Sequence, residues 1–198
     1  FNVPLALSVI LILCIDLGTD IGPALGLGYE KPESDVMLQK PRPRKDRLLT
    51  PPMFFQSYGI FGMIEVIAAF FTFFFVLFSG GWTWGQQLAF NNPLYLKAVT
   101  AYFVSVVIMQ IAGAFVCRTR RESIFAVGLF TNRLVLLGML IEAVLVTFMV
   151  YVPFANTVFA TRPLGIPEIL LTIPFGILVI AIAEWRNWLI RKENPFAK

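Results

Sequence analysis

The stretch CIDLGTDIGPALGLGYE, residues 14–30, decides how the rest of the chain is read. It closes a run rich in Leu, Ile and Val that begins near Leu5, and it places Asp16 and Asp20 inside that run. A carboxylate within a membrane span costs roughly 3 kcal/mol or more, so where one occurs it usually faces a protein interior and marks an ion or proton path. A spacing of four residues puts both aspartates on one helix face. Two like charges that close repel each other unless a cation sits between them. Thr19 adds a hydroxyl near the same face, and Gly22, Pro23, Gly26 and Gly28 weaken the helix just there. Weakening frees backbone carbonyls, and interrupted helices with exposed carbonyls near the bilayer midplane are how transporters hold alkali cations. The residues alone therefore read as a cation site of hard oxygen ligands, open to sodium, potassium, calcium, magnesium or a proton equivalent.

Composition supports a membrane setting. Of 198 residues, 58% are hydrophobic and only 14% charged, against about a quarter charged in an ordinary soluble domain. The mean hydropathy is +0.76. Five apolar segments of spanning length are expected at about 5–28, 53–78, 94–117, 133–154 and 165–189, separated by polar or turn-rich stretches. The expected fold is an all-α, polytopic membrane bundle of five transmembrane helices, the first one unwound near its middle. No histidine is present, and Cys14 and Cys117 lie about a hundred residues apart in or beside apolar runs, so no zinc, haem or thiol-redox motif can be assembled. The first residues lack the basic region and cleavage site of a signal peptide, and an opening Phe-Asn-Val-Pro reads as a piece of something longer.

Charge gives an orientation. Fourteen of the sixteen basic residues lie in 31–47, 118–133 and 186–198, whereas 79–92 carries no charge. The positive-inside rule then makes loops 29–51 and 118–132 and the C-terminus cytoplasmic, with the N-terminus outside. The net charge of +4 reports topology and contact with lipid headgroups, not nucleic-acid binding. Trp82, Trp84, Tyr95, Tyr151, Trp185 and Trp188 read as interfacial anchors.

Five acids stand out inside the spans: Asp16, Asp20, Glu65, Glu142 and Glu184. Glu184, one turn from a span end and two residues before Arg186, reads as a structural pairing. Glu65 reads as a partner for a neighbouring helix, and Glu142, within LGMLIEAVLV, as an ion or proton contact.

The string ILCIDLGTDIGPALGLGYEKPESDVMLQKPR closely resembles the sixth transmembrane helix and following loop of type II P-type cation ATPases, nearest to the sodium/potassium and proton/potassium pump branch. The likeness continues in Asn2-Val3-Pro4-Leu5, a short external turn, and in YGIFGMIE, the start of the seventh helix. YFVSVVIMQIAGAFVCRTRRESIF is similar to the eighth helix and its basic exit, and PLGIPEILLTIPFGILVI to the tenth. The resemblance implies that Asp16 and Asp20 are the metal-coordinating aspartates, that Thr19 is a neighbouring contact, and that Glu142 and Gln110 belong to an additional sodium site. That site uses an acid three residues after Gln110, where this chain has Gly113. The loss puts a third sodium ion, and a three-for-two stoichiometry, in doubt. Calcium pumps usually carry Asn at the first position, so Asp16 leans toward sodium, potassium or proton chemistry.

Neither the D-K-T-G-T phosphorylation string nor the T-G-E string of the family occurs here. The resemblance therefore implies the C-terminal membrane portion of a pump, partnered by the remaining membrane helices and cytoplasmic domains of the parent. ATP and Mg belong to that parent, no cofactor belongs to this chain, and the cargo is a monovalent cation. The external loop 79–92 is short and fits a microbial homologue, and an accessory β-type subunit is not expected despite Gly85-Gln86-Gln87. Loop 29–51, with Glu30, Glu33, Asp35, Lys40, Arg42, Arg44, Lys45 and Arg47, would face the phosphorylation domain. A fragment of a gradient-driven transporter, or a membrane scaffold derived from a pump, are the alternatives.

Overall fold

The computed structural model describes residues 3–34, 36–38 and 50–193, and among these residues every regular element is helical. Asp35 and the basic residues Lys40, Arg42, Arg44, Lys45 and Arg47 lie outside the described residues. Among the described residues, five helices are long and apolar enough to cross a bilayer: α1 Val9–Leu27, α2 Pro51–Ser79, α3 Pro93–Cys117, α4 Arg133–Tyr151 and α5 Ile166–Lys192. The chain is thus a multi-pass membrane protein.

Helix starts follow local chemistry. Ser8 accepts from the Leu11 amide of α1 at 3.4 Å, and Asn92 accepts from the Leu94 amide at 2.9 Å just ahead of Pro93. Asn132 accepts from the Leu134 and Val135 amides of α4 at 3.0 and 3.1 Å. Each cap satisfies a first-turn amide that has no partner inside its helix. The fourth helix stops at Tyr151 rather than running on to 154. Pro153 drives Val152 out of the helical region, to φ −86° and ψ 122°, and a separate short helix follows over Pro153–Phe159. Asn156 closes that junction by donating to the Met149 and Val150 carbonyls at 2.9 and 2.8 Å.

The expected interruption of α1 is present as a widened turn and a bend. Residues Cys14–Thr19 wind as a π-helix, the Asp20 amide reaches back five residues to the Ile15 carbonyl at 3.1 Å, and the chain bends at Asp20. A second π segment occupies Phe55–Gly62 of α2. The fifth span loosens at Leu171–Thr172, ahead of Pro174, whose missing N–H cannot bond the preceding turn.

α3 is the central post. It packs against all four other spans, and 56% of its apolar stretch is buried, more than in any other span. Small residues Ala98, Ala101, Ser105, Ala112 and Ala114 line its buried faces and let neighbours approach. α2 covers it with Ala68, Ala69, Thr72, Phe73, Val76 and Leu77. Phe70 and Phe73 meet Tyr102 of α3 edge-on, with centroids 5.2 and 6.3 Å apart. From α5, Thr172 donates to Ser105 at 3.0 Å inside the same core.

At the uncharged end, two residues expected as interfacial anchors are buried instead. Trp82 is 3% exposed and donates to the Gln86 carbonyl at 2.8 Å, while Tyr95 is 5% exposed and donates to the Leu5 carbonyl at 2.9 Å. Their polar atoms find partners in the loops that fold over them, so burial leaves nothing unpaired. Trp84, Tyr151, Trp185 and Trp188 remain exposed. Glu168, a further acid at the start of α5, pairs there with Lys97 at 2.6 Å.

Candidate cation site

The site is assembled where the π turn of α1 meets α3 and α4. Leu11, Ile15, Thr19, Pro23 and Gly26 form the buried face of α1, and Asp16 and Asp20 share the face turned away from the rest of the chain. Thr19 is 1% exposed. Its hydroxyl lies 2.9 Å from the Ile15 carbonyl and 3.3 Å from Gln110 Oε1 of α3, and its single proton serves one of these acceptors at a time. Pro23 has no N–H with which to bond the Thr19 carbonyl, as an α-helical residue in its place would. A widened turn of this kind often occurs at functional positions.

The fourth helix delivers Glu142 to the same level. Glycines set the approach. A Cβ on Gly26 would lie 2.6 Å from the Val135 amide nitrogen, and one on Gly138 would lie 2.5 Å from the Gly22 carbonyl carbon. The two backbones are therefore in contact, in the manner of small-xxx-small helix pairs. The antiparallel register set by Gly22–Gly138 and Gly26–Val135 puts Glu142, one turn on, level with Gly18. Glu142 is 1% exposed, and both of its carboxylate oxygens lack a hydrogen-bond partner among the described residues. Asp20 is close enough to act electrostatically on both Glu142 and Glu65.

Of the residues named from sequence, the fold brings Thr19 and Gln110 into contact, holds Glu142 and Asp20 within Coulomb range, and keeps Asp16 beside Asp20 on the outward face. Among the described residues, no group of three or more acidic, Cys or His side chains converges as a closed metal centre. Gly113, one turn from Gln110 on α3, faces open space, and a Cβ there meets nothing within 4 Å.

Gly22 and Gly26 turn out to set the α1–α4 contact besides weakening α1, and the Gly22-x-x-x-Gly26 spacing was the available signal. A polar lock at the basic end was missed entirely. Arg118, whose side chain is 1% exposed, donates to both Glu30 oxygens at 2.8 and 3.1 Å, to the Gly128 and Leu129 carbonyls at 3.1 and 2.8 Å, and to Thr131 at 2.6 Å. Asn132 adds bonds to the Gly26 carbonyl at 3.0 Å and to Glu30 at 2.8 Å. The Arg118 guanidinium, helped by Asn132, holds the Glu30 carboxyl below the usual glutamate range against a smaller opposing effect of burial. Glu33 accepts three successive amides, from Arg120, Arg121 and Glu122, and Glu184 accepts the Ile124 amide at 2.7 Å. Glu30 and Glu33 are thus used inside the chain. Together these bonds fix the basic-end turn of α1 to the segment that enters α4.

Residues 4–189 match the family described as "Cation transporting ATPase, C-terminus". The chain is 35% identical over 217 residues to the sodium/potassium-transporting ATPase subunit alpha-4 of Rattus norvegicus, an alignment covering 97% of this chain and 21% of that protein. It is 35% identical over 224 residues to the alpha subunit of Hydra vulgaris, and 34% over 219 residues to that of Tetronarce californica, in each case over 98% of this chain and 21% of the relative. The chain spans about a fifth of the length of the curated relatives it matches.

Proposed function

Because the chain belongs to the C-terminal family of cation-transporting ATPases, we propose that it is the transport module of an ATP-driven cation pump in the cell membrane and supplies part of the site that carries the cation. The cargo is a monovalent cation, sodium or potassium, or a proton. Asp16 and Asp20 are its charged ligands, Thr19 and Gln110 set the turn that presents them, and Glu142 carries a further charge to the same level of the bundle. ATP and Mg bind elsewhere in the parent, which supplies the phosphorylated aspartate.

The single observation behind the site is Glu142, a fully buried carboxylate with neither oxygen bonded among the described residues, level with a widened turn that carries Thr19 and ends at Asp20. A buried polar group without a partner is costly, so an unbonded acid at such a place suits a ligand that comes and goes. The outward face of Asp16 and Asp20 fits the same reading: ionised carboxylates in hydrocarbon are costly, and the remaining helices of the parent would complete the cage. Basic residues gather at the ends of α1, α3 and α5 nearest loops 29–51 and 118–132, which supports a cytoplasmic position for those loops and an outside N-terminus. The short uncharged loop 79–92 argues against a β-type subunit.

The test is Asp20→Asn in the full-length pump, with cation-dependent phosphoenzyme formation and dephosphorylation as readouts. Removal of one ligand charge should weaken apparent cation affinity about tenfold or more while expression and membrane insertion persist. Unchanged apparent affinity would sink the assignment, and absence of any cation-stimulated ATP hydrolysis in the parent would favour a gradient-driven carrier or a scaffold.

A further inference from the structure

Glu65 is the intramembrane acid that the proposed function leaves unused. It stands at the middle of α2, fourteen residues from either end of the 29-residue span Pro51–Ser79, where an ionised side chain is most costly to keep. The partner expected from a neighbouring helix is not there. Among the described residues Glu65 accepts no hydrogen bond, makes no ion pair and feels no basic side chain. Its surroundings on α2 are apolar: Phe61, Ile64 and Ala68 pack with Met109 and Val116 of α3 and with Val179 and Ala183 of α5. The consecutive spans α2 and α3 run antiparallel, and Phe70 meets Tyr102 with centroids 5.2 Å apart. Glu65, five residues before Phe70, is therefore level with the turn of α3 between Tyr102 and Gln110. Tyr102, Val106, Gln110 and Gly113 follow at helical spacing along one half-buried face of α3, and a Cβ on Gly113 would meet nothing within 4 Å.

Few titratable groups face Glu65. Asp20 acts on it from α1, Glu65 acts in turn on the Tyr102 hydroxyl of α3, and α5 packs beside it with Phe175, Val179 and Ala183. Asp20 acts likewise on Glu142 of α4, which is 1% exposed with both oxygens unbonded. Acids from three helices thus share one field, and no basic group among the described residues balances it. A hard metal ion needs several converging oxygens, and no three acidic side chains converge among the described residues. A proton needs only one oxygen.

We propose that Glu65 carries a proton and exchanges it against the transported cation, an inference that rests on the cation site proposed above. While Asp20 stands without a cation, its charge opposes a second negative charge at Glu65, and the carboxyl keeps its proton. A cation arriving beside Asp20 cancels that opposition. The Glu65 O–H bond then breaks, its electron pair stays on the carboxylate, and the proton passes to water. One positive charge enters the bundle as another leaves, so the charge held within the membrane is unchanged.

The experiment uses the purified full-length protein in nanodiscs, weakly buffered and carrying a pH-sensitive dye, titrated in parallel with sodium chloride and potassium chloride against choline chloride. Wild type should release about one proton more per bound cation than Glu65→Gln. The Gln amide has the size and neutrality of the protonated acid, so the variant keeps the fold. By the same linkage, apparent cation affinity should rise with pH more steeply in wild type, by about tenfold per pH unit relative to the variant. Infrared difference spectra should show a protonated-carboxyl band lost on cation addition in wild type and missing from the variant. Equal proton counts in two proteins that both bind the cation would overturn the exchange and leave the cation site standing. A variant whose cation affinity falls by one factor at every pH would also overturn it, making Glu65 a cation ligand. Failure of wild type to bind either cation would overturn the cation site itself, and the exchange with it.

Discussion

One methyl group at Gly138 tests whether the α1–α4 contact places the proposed cation site. In Gly138→Ala the new Cβ lies 2.5 Å from the Gly22 carbonyl carbon, 2.6 Å from the Pro23 nitrogen and 2.7 Å from the Gly22 oxygen. All three atoms are backbone, so no rotamer change relieves the overlap. Carbon atoms pack at about 3.5–4.0 Å, so the helices must part by about 1 Å at the crossing. Overpacking of this kind costs about 1–3 kcal/mol, offset by about 1 kcal/mol of helix propensity gained when Gly becomes Ala. Gly113→Ala gains the same propensity and meets nothing within 4 Å. The difference between the two variants therefore cancels propensity and isolates the clash, leaving Gly138→Ala less stable than Gly113→Ala by about 1–3 kcal/mol. Unfolding in mixed micelles titrated with SDS measures that difference directly. Glu142 sits one turn from the displaced crossing, so apparent cation affinity in the full-length pump should fall for Gly138→Ala and hold for Gly113→Ala. Equal unfolding midpoints would refute the claim that these backbones touch, and with it the register that brings Glu142 to the level of Gly18.

Three further outcomes follow from the same geometry. Gly113→Asp meets no steric obstacle, since a Cβ there has nothing within 4 Å, and it places an acid in a span at a cost of roughly 3 kcal/mol unless a cation offsets it; under the proposed function it should raise cation cooperativity by adding an acid one turn from Gln110, and unaltered cooperativity would show that Glu142 and the new acid do not share an ion. Arg118→Ala should cost about 3 kcal/mol or more, since it strands Glu30 and empties a site that feeds five acceptor atoms, and a loss below about 1 kcal/mol would deny the lock its role. The same pair predicts an acid limb. Glu30 titrates below its ordinary value in the folded protein, so its stabilisation is complete above the ordinary glutamate value of about 4.3 and is lost as pH falls through the lower folded value. Glu30→Gln should flatten stability over that interval, and an unchanged acid limb in the variant would contradict the assignment.

Much of the architecture was legible because a bilayer leaves a chain few choices. With no water to satisfy backbone groups, runs of about twenty apolar residues must be helices, so five spans could be read from composition alone. Helix stops were less visible. Pro153 ends α4 through the residue before it, a local rule that competes with an apolar run continuing to 154. The tryptophans show why exposure resists a one-dimensional reading: Trp82 and Trp84 stand two residues apart in one loop, and one is buried while the other is exposed. Their difference depends on which loop atoms fold back over each ring.

Asp16, Asp20 and Glu142 announce themselves in the sequence because charge is rare in hydrocarbon and needs a reason wherever it stands. The family follows from the same residues and their neighbours, since the spacing of acids, glycines and prolines is carried in the order of the chain. Which of these residues meet was decided only in three dimensions. Gly22 reaches Gly138, Thr19 reaches Gln110 ninety-one positions away, and Glu30 reaches Arg118 across eighty-eight. Such contacts are set by how closely helix backbones approach and by the register at which they cross, and neither quantity is written in the spacing of residues along a single helix.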